Sequence, residues 1–171
     1  PMRPLASTLV VLCLGVLACQ SGRTSARVTR PAPTAQAPAA RTVSPTVVLV
    51  SIDGFRADYL DRPGATHLRA LAARGVRAER MIPAFPSKTF PNHYTIVTGL
   101  YPEHHGIVAN VMRDRTLGRF ATGADPSGRD GRWWGGEPIW VTAEQQGMRS
   151  AIMFWPGSEA PIKGVRPTWW Q

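Results

Sequence analysis

Apolar and polar positions change rhythm three times along the chain. From Leu5 to Ala18 the residues are apolar except for Ser7, Thr8 and Gly15. That run is shorter than the roughly 20 residues needed to span a bilayer. Coming just after Met2-Arg3, it reads as the apolar region of a secretory signal, residues 1–19. From Ser21 to Pro45 the chain is rich in Ser, Thr, Ala, Pro, Arg and Gln and has no apolar periodicity. Such a stretch cannot bury enough surface to offset its ordering entropy, so residues 20–45 read as a disordered tether. A folded domain is expected over 46–171.

Within that domain, Val47 to Ile52 is a continuous apolar, β-branched run that predicts a strand buried on both faces, as in a parallel sheet. It stops at Asp53-Gly54. Leu68, Leu71 and Ala72 recur at helical spacing before Gly75. Val76 to Met81 predicts a second strand. Helices are expected over Pro91–Thr98, closed by Gly99, and over Pro138–Gln146, closed by Gly147; a strand is expected over Ala151–Trp155. The polar, Gly-rich stretch Arg113–Gly136 reads as a loop excursion. Alternating strands and helices predict an α/β domain with a largely parallel sheet flanked by helices.

Composition adds limits. The 171 residues are 43% apolar and 18% charged, as in a globular domain, and hold two cysteines, Cys13 and Cys19, too few for a disulfide scaffold or a cysteine zinc module. The net charge is +9, and of the 20 basic residues all but Lys88 and Lys163 are arginine. The arginines are scattered from Arg3 to Arg166 without clustering, so binding to a nucleic-acid duplex is not expected. Val16-Leu17-Ala18-Cys19 resembles a bacterial lipoprotein cleavage box. That resemblance implies lipidation at Cys19, a membrane anchor and a periplasmic or outer-membrane location; the alternative is an ordinary signal that happens to contain Cys19.

Two segments carry candidate chemistry. Asp53 stands at the end of the first apolar run, where open α/β sheets place their ligands. Its hard oxygens suit a divalent metal, or they cap the following turn. Thr89 stands just ahead of Pro91, at the predicted helix start, where the helix dipole and free N–H groups favour an anion. Its hydroxyl is a candidate nucleophile if a metal activates it; otherwise Thr89 or Ser87 is an N-cap. His93, His104 and His105 lack metal-site spacing and read as structural or loop histidines.

The runs Ser51–Arg56, Pro86–Tyr94, Val97–Ile107, Gly136–Trp140 and Phe154–Glu159, in this order, resemble the nucleotide pyrophosphatase/phosphodiesterase family of the alkaline phosphatase superfamily. The resemblance implies an alkaline-phosphatase-like α/β core with two Zn²⁺ ions. It also implies hydrolysis of nucleotide phosphodiester or pyrophosphate bonds through a threonine-linked nucleotidyl intermediate, releasing nucleoside monophosphates. By motif position, Asp53 matches a zinc ligand and Thr89 the nucleophile, whose oxygen also touches metal. Asn110 matches the donor to a non-bridging phosphate oxygen and Phe90 the ring on which a base stacks, while Trp155 is expected to line the same pocket. The family's further aspartate and histidine ligands are absent from this chain, so an incomplete, inactive N-terminal fragment is expected. Alternatives are a choline or phospholipid phosphodiesterase, a phosphomonoesterase of the same superfamily, or a non-catalytic binding lipoprotein.

Overall fold

The computed structural model describes residues 45–123 and 125–171. The predicted signal over 1–19, with Cys19, and residues 20–44 of the predicted tether lie outside the described residues. The helices follow local sequence signals. α1 spans Thr66–Arg74 and carries Leu68, Leu71 and Ala72, with Gly75 after it. α2 spans Thr89–Thr98 and buries Pro91, His93, Tyr94 and Val97 along one face. Gly99, at φ 69°, closes α2 in the left-handed region and donates its N–H to the Thr95 carbonyl at 2.8 Å. α3 is the short Pro102–His105 turn, and α4 spans Ile139–Gln145 with Pro138 at its cap.

The strands depart from the sequence expectation. Val47–Ile52 pairs with no other strand among the described residues, and its side chains are exposed, Val47 at 87% and Val50 at 72%. Val76–Met81 is likewise irregular and exposed. β-branched composition favours extended backbone, but a strand exists only where a second segment completes its hydrogen-bond ladder. The strand ladders among the described residues are two small ones. β1 (Val111–Asp114) pairs antiparallel with β2 (Gly118–Ala121), and β3 (Ala151–Ile152) pairs parallel with β4 (Trp169–Trp170). The predicted Ala151–Trp155 strand is thus two residues long, the length of its partner. Among the described residues, two two-stranded sheets stand where a largely parallel sheet was expected.

Arg113–Gly136 also differs from a plain excursion. It carries half of β1, all of β2 and two single-turn 3₁₀ helices, Pro126–Arg129 and Gly131–Trp133. Asp125 and Asp130 cap those turns by accepting the Ser127 and Arg132 N–H groups. Its polar residues form turns, while Phe120, Trp133 and Trp134 turn inward. These rings pack with Tyr94, Ile107, Trp140, Val141 and Ile162 into the core. Tyr94 meets Trp134 edge-on, centroids 4.9 Å apart, and Phe120 meets Trp134 at 5.6 Å, arrangements that aromatic quadrupoles favour. Gly157 lies against this cluster at φ +92°. A Cβ there would sit 2.9 Å from the Trp134 ring, so the close approach requires glycine. Every buried residue among those described lies at or after Pro91.

Candidate active site

Asp53 and Thr89 come from separate segments and meet. Asp53 begins a tight turn in which the Phe55 N–H returns to the Ile52 carbonyl at 3.3 Å. Gly54, at φ +71°, takes the left-handed position that such a turn demands. Thr89 is the first residue of α2; the cap position is Lys88, in extended backbone and with no side-chain cap bond. Neither Thr89 nor Ser87 is therefore the N-cap. The Thr89 hydroxyl instead donates to Asp53 Oδ2 at 3.0 Å. Pro91 falls within the first turn of α2, where a missing N–H leaves no intrahelical bond unmade.

Asn110 completes that helix end. Its Oδ1 accepts the Phe90 N–H at 3.0 Å, satisfying one of the free donors of the first turn. With the oxygen committed, the amide is oriented, and its two N–H donors remain for another acceptor. Phe90 is half-buried and packs against Phe120 and Trp134, at 6.0 and 6.1 Å. Trp155 has a different neighbour: its ring meets His93 at 5.5 Å and its Nε1 donates to the His93 carbonyl at 3.1 Å. The expected shared pocket for Phe90 and Trp155 is not what their ring contacts describe. Trp155 lines a separate apolar cavity of about 690 Å³ with Leu49, Val50, Leu68, Leu71 and Ile96.

A second cavity of about 530 Å³ opens beside Asp53 and is lined by Gly54, Arg56, Arg77, Arg80, Ser87 and Lys88. Arg56, Arg77 and Arg80 pair with Asp58, Asp61 and Glu79. Lys88 forms no such pair among the described residues and leaves a cation next to Thr89.

His93 and His105 are both buried and held by internal hydrogen bonds. His93 bonds Ser51 and the Thr89 carbonyl. His105 accepts the Ile107 N–H on Nδ1 and bonds Thr95 through Nε2. Burial holds its pKa below the usual histidine range. His104 is exposed. The Ser51–His93 link had no signal in the sequence, because the two residues are 42 positions apart.

Among the described residues no group of three His, Cys, Asp or Glu gathers as a metal site. Asp53 and Thr89 fit a zinc centre as two hard oxygen donors and do not complete one, because structural and catalytic zinc take at least three protein ligands.

Residues 47–171 match the family described as Type I phosphodiesterase / nucleotide pyrophosphatase. An uncharacterized pyrophosphatase/phosphodiesterase of Schizosaccharomyces pombe is 53% identical over 126 residues, covering 72% of this chain and 26% of that protein. Ectonucleotide pyrophosphatase/phosphodiesterase family member 3 of Bos taurus is 46% identical over 126 residues, covering 72% of this chain and 14% of that protein. A solved structure of inactive murine ectonucleotide pyrophosphatase/phosphodiesterase 5 in complex with AMP superposes with a TM-score of 0.66 at 38% identity. That match covers 71% of this chain and 33% of the murine one. The chain thus spans about a quarter or less of the length of these curated relatives.

Proposed function

The chain belongs to the type I phosphodiesterase/nucleotide pyrophosphatase family, and from that premise we propose that its protein hydrolyses nucleotide phosphodiester or pyrophosphate bonds and releases nucleoside monophosphates. The observation that carries this reading is the Thr89 hydroxyl held 3.0 Å from Asp53 at the start of α2. A helix N-terminus favours the negative charge of a phosphate. Lys88 adds a cation on the same side. AMP in the murine relative's structure supports a nucleotide substrate.

In the proposed reaction, Thr89 Oγ bonds to phosphorus as the bond to the leaving oxygen breaks, and the hydroxyl proton passes to that leaving group. Water then cleaves the threonine–phosphorus bond, giving its hydroxyl to phosphorus and its remaining proton back to Thr89. The amide N–H groups of Asn110 stabilise charge growing on a non-bridging oxygen. Phe90 offers its accessible face to the base. Asp53 and Thr89 would hold zinc, which lowers the barrier to deprotonating the attacking oxygen; the remaining ligands are supplied by neither residue.

The signal-like apolar run ahead of Cys19 in the sequence supports a lipid-anchored, periplasmic or outer-membrane protein. The test of function is release of nitrophenol from a nitrophenyl ester of a nucleotide, with zinc content measured alongside. Zinc-dependent turnover by the full-length protein is expected, whereas the 171-residue chain is expected to be inactive. Absence of turnover with a full complement of zinc overturns the reading.

A further inference from the structure

His93 lies one turn beyond Thr89 on α2 and is buried, at 7% exposure. Its Nδ1 is 2.7 Å from the Thr89 carbonyl oxygen, and its Nε2 is 2.9 Å from Ser51 Oγ. A carbonyl only accepts, so Nδ1 carries the proton; in the neutral ring, Nε2 then accepts from the Ser51 hydroxyl. Trp155 clamps the residue from outside, through its bond to the His93 carbonyl and its edge-on contact with the imidazole.

Ser51 stands two positions before Asp53. The bonds therefore close a ring from Asp53 to Thr89, from Thr89 to His93, from His93 to Ser51, and back through Ile52 to Asp53. His105, the other buried histidine, has the opposite protonation: its Nδ1 accepts the Ile107 N–H, so Nε2 carries the proton toward Thr95. Two buried histidines in opposite tautomers are what two different hydrogen-bond duties require.

We propose, on the strength of the phosphodiesterase reading above, that His93 is a positioning residue. By gripping Ser51 and the Thr89 backbone at once, it fixes the separation of the Asp53 carboxylate from the Thr89 hydroxyl. It does not touch Thr89 Oγ1 and acts only through its two partners. Loss of an outer partner that orients a working group costs about 10- to 100-fold, and a small misplacement of a nucleophile falls on the chemical step rather than on binding.

The variants are Ser51→Ala, Ser51→Thr and His93→Asn in the full-length protein. Ser51→Ala keeps both proposed zinc donors, Asp53 and Thr89, and lies on an exposed segment, so folding and zinc content are expected to be unchanged. Its kcat is expected to fall about 10- to 100-fold at constant KM, with Ser51→Thr restoring most of it. Ring ¹⁵N spectra of histidine-labelled, metal-free protein are expected to show an Nδ1–H tautomer, assigned by its loss in His93→Asn, beside the Nε2–H signal of His105. An Nε2–H tautomer at His93, or Ser51→Ala with wild-type kcat and ring spectrum, overturns the proposal. Undiminished turnover in Thr89→Ala removes the nucleophile reading instead, and the ring spectra still judge the tether.

Discussion

At residue scale, attack and charge stabilisation separate cleanly. Thr89→Ala removes the attacking oxygen and is expected to abolish turnover, while Thr89→Ser keeps an oxygen at the helix start and should retain part of it. Asn110→Ala leaves that oxygen in place and is expected to cost about 10²–10³ in rate, the loss of a single oxyanion donor. Asn110→Asp isolates one duty from the other. Its carboxylate still accepts the Phe90 N–H but presents negative charge where the amide presents donors, so melting temperature should hold while kcat falls at least as far. Asp53→Asn is expected to lower zinc content, with activity partly regained at higher metal concentration. Initial rates with the nitrophenyl nucleotide, paired with zinc analysis and with melting temperature for Asn110→Asp, check all five. The residue types of this site were legible from motif order, but the Asp53–Thr89 bond spans 36 positions and the Asn110–Phe90 bond 20, separations that no local periodicity encodes.

At the scale of elements, α1, α2 and α4 could be read because their signals are local: apolar spacing of three and four, with glycine after the last turn. The strands could not, because a ladder depends on a distant partner. Val47–Ile52 is as β-branched as any buried strand and still makes no ladder here. Phe120, Trp133 and Trp134 were hidden by the polar turn residues around them. A carboxylate braces the short parallel pair beside its backbone ladder. Glu144 on α4 accepts from the backbone and hydroxyl of both Ser150 and Thr168, beside β3 and β4, and these bonds lower its pKa to about 2. A carboxylate depressed in the folded state contributes stability above its ordinary pKa and loses it as pH falls toward the folded value. His105 acts in the same direction at higher pH. Its depressed pKa means that protonation below the ordinary histidine range opposes the folded state and breaks the Nδ1 bond to Ile107. Melting temperature is therefore expected to drop in two stages on acidification, the first below about pH 6.5 and the second below about pH 4.5. Glu144→Gln should shrink the second stage and leave the first, the rest of the second belonging to Asp61, Asp114, Asp125, Asp130 and Glu137, whose hydrogen bonds also hold them low.

At the scale of the whole chain, the exposed Val47–Ile52 run and the apolar cavity beside α1 present a large uncovered surface. Such patches promote association, so the isolated 171-residue chain is expected to self-associate, as light scattering would report. Cys19→Ala is expected to release the protein from membranes in a bacterial host; unchanged membrane fractionation would remove the lipid anchor. Burial is also unevenly divided: it begins at Pro91, and Asp53 stands on the side without it. Amides between residues 45 and 88 should therefore exchange with deuterium through small local openings, while those of the aromatic core wait for global unfolding. A ligand that bridges Asp53 and Thr89 fastens the fast-exchanging portion to the slow one. Its signature is slowed exchange well away from its contacts, along the whole stretch that leads from Asp53 to α2.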